Sequence, residues 1–220
     1  MDRLAATVMV FDLDDTLYPE EDYVQSGMAR VSSKIAEAFG IDTLGLAQEG
    51  WRDRGDWLSA VCTVLPDAVG LKDSLLWAYR SHSPTIRLQT EMQDLVEQVQ
   101  QDALGWGIVT DGRALTQRLK LRALGLSDWP AWISDDHGGL PKPDPTRFEA
   151  IMSRFGPARY VYVADNPFKD FHAPLTLGWQ TIGFEGFVSR PVDDGSDARR
   201  RMPHVWVDTP QAVLDAVLES

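Results

Sequence analysis

Val8-Met9-Val10-Phe11 is an apolar run that stops abruptly at Asp12, Asp14 and Asp15, three carboxylates within four positions. A run of this kind suits a strand covered on both faces, as in a parallel sheet between two helical layers. Side chains alternate along a strand, which sends Asp12 and Asp14 to one side at its C-terminal end and turns Leu13 into the core. Two carboxylates about 4 Å apart at an effective dielectric of about 20 repel by roughly 4 kcal/mol. They therefore require a cation, a proton or an electrophile beside them.

Beyond Leu17 the pattern becomes helical. Pro19-Glu20-Glu21 makes a good first turn, Val24, Met28, Val31, Ile35 and Phe39 recur at helical spacing, and Gly40 closes the segment. Further helices are expected over Leu44 to Trp51, over Asp56 to Leu65 and from about Lys72 to Ser81, with no strand pattern between them. Strands and helices then alternate. Strands are expected at Gly105 to Thr110, Ala131 to Ser134, Tyr160 to Ala164, Gln180 to Phe184 and Val205 to Val207. Helices are expected at Gln93 to Gln101, along Leu115, Leu119 and Leu124, at Thr146 to Phe155, at Lys169 to Leu177 and from Pro210. The expected fold class is α/β: a doubly wound, Rossmann-like parallel sheet formed by residues 1–17 and 87–220, with an inserted α-helical domain at 18–86.

A net charge of -12 opposes a nucleic-acid or anionic-membrane surface, while small anions remain admissible where positive charge is gathered locally. The single cysteine, Cys62, cannot form an internal disulfide and reads as a buried helix residue. No apolar run is long enough to span a membrane, and the N-terminal stretch lacks the marks of a secretory signal, so a cytoplasmic monomer or homodimer is expected. Ser189 to Pro203, with Asp193-Asp194-Gly195 and Arg199-Arg200-Arg201, reads as a solvated loop of neighbouring opposite charges.

Ligands of an open parallel sheet collect at the C-terminal ends of its strands. Asp12 and Asp14 follow the first strand, Thr110 ends the second, Lys142 lies in the loop after the third, and Asp165 and Asp170 follow the fourth. Each alone could be a cap, an ordinary strand residue or a solvated charge. Their recurrence at equivalent strand ends points to one site.

The set Asp12-Leu13-Asp14-Asp15-Thr16-Leu17, Thr110-Asp111-Gly112, Lys142-Pro143 and Asp165-Asn166-Pro167-Phe168-Lys169-Asp170 resembles the four motifs of the haloacid dehalogenase superfamily. The helical block between the first two is similar to that superfamily's α-helical C1-type cap. The resemblance implies that Asp12 is a nucleophile forming an aspartyl-phosphate and that Asp14 is the general acid and base. It further implies that Thr110, Asp111 and Lys142 hold the phosphoryl group, and that Asp12, Asp165, Asp170 and the backbone carbonyl of Asp14 bind Mg2+. Ala164 stands where the family often has glycine, and Asn166 directly follows the metal aspartate; neither removes a required group.

Because a halide leaves without protonation, Asp14 favours phosphate chemistry over dehalogenation. The implied activity is a Mg2+-dependent phosphatase of a small phosphorylated metabolite, a sugar phosphate or nucleotide monophosphate. The alternatives are a phosphomutase with the same nucleophile and a non-catalytic phosphate-binding scaffold. Tyr18, Tyr23, Arg52, Arg54 and Trp57 are candidates for the cap surface that meets substrate, with helix packing and solvated charge as the ordinary alternatives. His137 and His172 lie near the motif loops without metal-ligand spacing.

Overall fold

The computed structural model describes residues 3–53, 56–189 and 201–219. Six strands, Thr7–Phe11 (β1), Gly105–Thr110 (β2), Ala131–Ile133 (β3), Arg159–Ala164 (β4), Gln180–Phe184 (β5) and Val205–Val207 (β6), form one parallel sheet in the order β3-β2-β1-β4-β5-β6. The helices are Glu20–Phe39 (α1), Leu44–Arg52 (α2), Trp57–Cys62 (α3), Leu71–Arg80 (α4), Thr90–Asp102 (α5), Ala114–Ala123 (α6), Thr146–Phe155 (α7), His172–Thr176 (α8) and Pro210–Glu219 (α9). The α/β, doubly wound expectation is met.

Every residue of β1 is buried because the sheet is covered twice. Met9 and Phe11 face a cluster with Leu95, Val99, Leu121, Val213 and Val217, brought by α5, α6 and α9. Val8 and Val10 face the other layer, with Phe148, Ile151 and Ala173 from α7 and α8. β1 pairs with β2 on one side and β4 on the other, so the strand order reverses between β1 and β4. The crevice of a doubly wound sheet opens at that switch point.

Helices α1 to α4 own a separate core of Val24, Met28, Val31, Ile35, Trp57, Val61 and Leu75. The buried stripe of α1 ends at Ile35, and Phe39 is 40% exposed instead of joining it. The helix expected to reach Leu65 stops at Cys62, because Val64 and Leu65 donate to Val61 and Cys62 in tight i to i-3 turns. Pro66 follows and disfavours a helical residue before it. Cys62 is half-buried at the edge of that core and not within it. The helix expected over Lys169 to Leu177 contracts to α8, since the Asp170 carboxylate accepts from the Asn166 amide at 2.9 Å and commits 166–170 to a turn. Among the described residues no helix is long and apolar enough to cross a membrane.

Candidate active site

The Asp12 amide donates to the Val163 carbonyl at 2.9 Å, carrying the β1–β4 ladder one residue past the strand. That bond places the Asp12 side chain, 2% exposed, at the switch point. The chain then turns tightly: Leu17 donates to Leu13 at 3.0 Å and Asp15 to Tyr18 at 2.9 Å. Asp15 sits at φ 55°, a left-handed position that its short polar side chain tolerates, and its Oδ1 accepts from the Glu20 amide at the start of α1. Asp15 is thus a turn residue that leads into α1.

Lys142 is wholly buried, with Nζ 2.8 Å from Asp12 Oδ1 and 2.6 Å from Asp170 Oδ1. It also donates to the Tyr162 hydroxyl at 3.1 Å. Burial works against its charge, but the carboxylates of Asp12, Asp170 and Asp111 more than offset this and hold the ammonium above its ordinary value. Asp12, Asp165 and Asp170 each bring a carboxylate oxygen to within 4.8 Å of the others. Burial alone would raise Asp12, yet the attraction of Lys142, aided by Lys169, leaves its carboxyl below the ordinary range. Asp165 goes the other way, pushed up to about 8 by burial and then by the charges of Asp12 and Asp170. Three hard oxygen donors, one of them retaining a proton for want of enough positive charge, fit a divalent cation such as Mg2+.

Asp14 has a different set of partners. Lys120 Nζ lies 2.7 and 2.9 Å from its two oxygens, the Tyr18 hydroxyl donates to Oδ1, and Gln117 Nε2 approaches Oδ2 at 3.3 Å. The Asp14 carboxylate therefore stands outside the Asp12–Asp165–Asp170 group, and each of the two acids that opened the sequence argument has its own lysine. Gln117 also donates to Thr110 Oγ1 at 3.0 Å and to the Asp111 carbonyl at 2.6 Å, tying the end of β2 to the same network.

Several residues expected to contact substrate also have partners within the protein. The Asp111 carboxylate accepts the Lys142 amide, at 3.1 Å to each oxygen, and Arg147 Nη2 at 2.6 Å. Tyr18 is fully buried and donates to Asp14, while the Asp111 side chain stays partly exposed. Trp57 is buried in the helical insertion, edge-on to Tyr79, and Tyr23 packs edge-on to the same ring. Arg52 is exposed at the C-terminal end of α2. Arg54 lies outside the described residues, as do 190–200 of the expected charged loop. Thr110 is buried at the end of β2. His137 Nδ1 lies 3.0 Å from the Ile133 carbonyl and His172 opens α8; neither joins the carboxylate group.

Sequence reasoning missed Gln117, Lys120, Arg147, Tyr162 and Lys169. On α6 it followed Leu115, Leu119 and Leu124; Leu124 is buried as expected, but Leu115 is 47% exposed and Gln117, Lys120 and Leu121 complete the buried face. That face has the i, i+3, i+4, i+7 spacing of a core stripe, and two polar residues on it are the available signal. Lys169 sits next to Asp170; burial and Lys142 oppose its charge, and Asp12, Asp170 and Asp165 raise its pKa overall.

The family model of the haloacid dehalogenase-like hydrolases matches residues 6–173, from the approach to β1 into α8. The chain belongs to that family. It is 25% identical to the ribulose-1,5-bisphosphate 5-phosphatase of Halopiger xanaduensis over 96% of this chain and 99% of that one. Identity to the glyceraldehyde 3-phosphate phosphatase of Methanopyrus kandleri is 23%, over 96% and 97% of the two chains. Among solved structures, magnesium-bound YfnB from Bacillus subtilis superposes with a TM-score of 0.65 at 19% identity, covering 97% of this hydrolase and 99% of YfnB. The 2-haloacid dehalogenase of Pseudomonas syringae gives the same TM-score at 21% identity, over 97% and 98% of the two chains. At such identities these two structures speak for the fold.

Proposed function

We propose that this hydrolase is a Mg2+-dependent phosphatase of small sugar phosphates that works through an aspartyl-phosphate on Asp12. The observation that carries the reading is the buried Asp12 carboxylate at the switch point, with Lys142 Nζ at 2.8 Å and the oxygens of Asp165 and Asp170 close by. An ionised carboxylate held there is a nucleophile prepared for phosphorus, and the ammonium beside it offsets the charge of an arriving phosphoryl group. The two full-length relatives, both named as phosphatases of phosphorylated sugars, favour that substrate class over a nucleotide.

Asp12 attacks phosphorus, and Lys142 with Thr110 holds the non-bridging oxygens. Asp14, positioned by Lys120, Tyr18 and Gln117, would take part in its protonated form, giving that proton to the leaving oxygen and regaining one from the water that opens the acyl phosphate, so that it ends the turnover as it began. Asp12, Asp165, Asp170 and the Asp14 carbonyl would hold Mg2+, which supplies Lewis-acid neutralisation of the phosphoryl charge. Residues 18–86 are assigned as the α-helical cap, and 1–17 with 87–220 as the catalytic core. The separate hydrophobic core of α1 to α4, and the packing of Leu17 in the sheet's own cluster, support that division, with Tyr18, Tyr23 and Ile86 packing against the sheet across it. A cap closing over the crevice would exclude water and select the sugar.

The test is phosphate release by purified protein with Mg2+ across a panel of phosphorylated sugars and nucleotides, with Asp12→Asn and chelator controls. Turnover of one or more sugar phosphates, abolished by both controls, is expected. Undiminished activity in Asp12→Asn would sink the mechanism. An isomerised phosphate ester in place of free phosphate would identify a phosphomutase, and saturable binding without turnover a scaffold.

A further inference from the structure

We propose that Arg147, acting through Asp111, is a positioning residue that sets where Lys142 stands relative to Asp12. This rests on the role given to Lys142 above and extends it to a residue on α7 that touches neither Asp12 nor the carboxylate group.

The connection is continuous. Arg147 Nη1 donates to the Thr110 carbonyl at 2.7 Å, and Nη2 donates to Asp111 Oδ1 at 2.6 Å. Asp111 in turn accepts the backbone amide of Lys142, 3.1 Å from each carboxylate oxygen. From that anchored backbone the Lys142 side chain reaches Asp12 and Asp170 at 2.8 and 2.6 Å. One guanidinium therefore fixes the strand end that carries Thr110 and, through one carboxylate, the loop that carries Lys142.

Nearer β3 the segment is tied to the residues after β2, since the Ser134 hydroxyl accepts the Gly112 amide at 2.9 Å and Asp135 accepts the Ala114 amide at 3.0 Å. Around Lys142 itself the neighbouring backbone bonds, Gly139 to Ser134 and Asp144 to Pro141, are local turns. Among the described residues, the Asp111 carboxylate is what joins the Lys142 backbone to that strand end. Free to choose its rotamer, Asp111 would hold the loop loosely; clamped by Arg147, it offers both oxygens in one orientation.

A purely structural role accounts poorly for this arginine. It is 1% exposed, among the largest fully buried side chains, and its Nε has no hydrogen-bond partner in the structure. A buried ion pair of this kind is commonly matched or bettered in stability by an apolar residue of similar volume. The neighbouring Phe148 and Ile151 already provide α7's packing against the sheet. Both charge-assisted bonds of Arg147 go to the Thr110–Asp111 turn, so what the guanidinium contributes is placement. A displacement of about 1 Å at a reacting centre costs about 100-fold in rate.

The experiment uses Arg147→Met, Arg147→Lys and Asp111→Asn in the full chain. Exchange of the Lys142 amide is followed by NMR, and kcat and KM are measured on a sugar phosphate with Mg2+. The expected result for Arg147→Met is faster exchange at Lys142 with the amides of β1 and β4 still protected. A loss of about 100-fold in kcat should accompany it, with a much smaller change in KM. Arg147→Lys should recover part of kcat, and Asp111→Asn should loosen the same amide. If Arg147→Met fails to fold, Arg147→Lys and Asp111→Asn carry the comparison. Unchanged protection of the Lys142 amide in folded variants overturns the proposal. The amide readout needs no turnover, so a wild-type protein that releases no phosphate would refute the phosphatase reading while leaving this one to be decided by exchange.

Discussion

Loading the carboxylate cluster with a divalent cation should expel close to one proton at neutral pH. Asp165 is pushed up to about 8 by burial and by the charges of Asp12 and Asp170, and Asp170 is raised as well, chiefly by burial, so the proton belongs to the group more than to one side chain. A cation needs the ionised form and competes with that proton. With one site titrating at about 8, the apparent Mg2+ affinity should rise roughly 50-fold from pH 6 to pH 8 and flatten above. Calorimetric titration of the metal-free protein with Mg2+, in buffers of different ionisation enthalpy, measures both the affinity and the proton count. An affinity flat between pH 6 and pH 8, with no proton released at pH 7, would refute the reasoning.

The same group governs metal-free stability. A carboxyl whose folded pKa lies above its unfolded one binds more protons when native, so stability declines as pH rises from about 4 to about 8, by up to about 1.4 kcal/mol per pH unit. Asp12, lowered in the fold, acts oppositely: its contribution is present above the ordinary carboxylate pKa and is lost as pH falls below it. Chemical denaturation across this range should show the decline without Mg2+ and a smaller one with it.

Lys142→Met strips the counter-ion from Asp12 and Asp170, both buried, and should cost about 3–5 kcal/mol in metal-free urea unfolding. A loss below about 1 kcal/mol would contradict the geometry. Lys120→Met releases the Asp14 carboxylate from its main partner. Alkyl phosphates, whose leaving oxygen needs a proton, should lose about 100-fold in kcat, and an aryl phosphate with a good leaving group far less. Equal losses on both substrates would show that Lys120 serves stability alone.

How much of this was legible depends on the distance over which each residue is determined. The strands were readable because double burial forces continuous apolar runs, as in Val8 to Phe11 and Tyr160 to Ala164, and the acids at their ends interrupt those runs locally. Helix ends were less so. The stop at Cys62 hinges on tight turns before a proline, and the late start of α8 on a carboxylate folding back onto its own loop. The Asp12–Asp14 repulsion was anticipated as a need for a cation, a proton or an electrophile nearby, and two lysines supply positive charge. Lys142 takes Asp12, and Lys120, 106 positions from its partner, takes Asp14.

The sequence by itself determined the parallel α/β architecture, the placing of Asp12, Asp14, Thr110, Lys142, Asp165 and Asp170 at or after strand ends, and the run of helices after β1. These follow from periodicity and from local breaks in it. Only the tertiary structure decided that Asp111 and Tyr18 hold the site together and that Gln117, Lys120 and Arg147 are its buried supports. A side chain's partners depend on which helix face packs over which strand end, and no local pattern encodes that meeting.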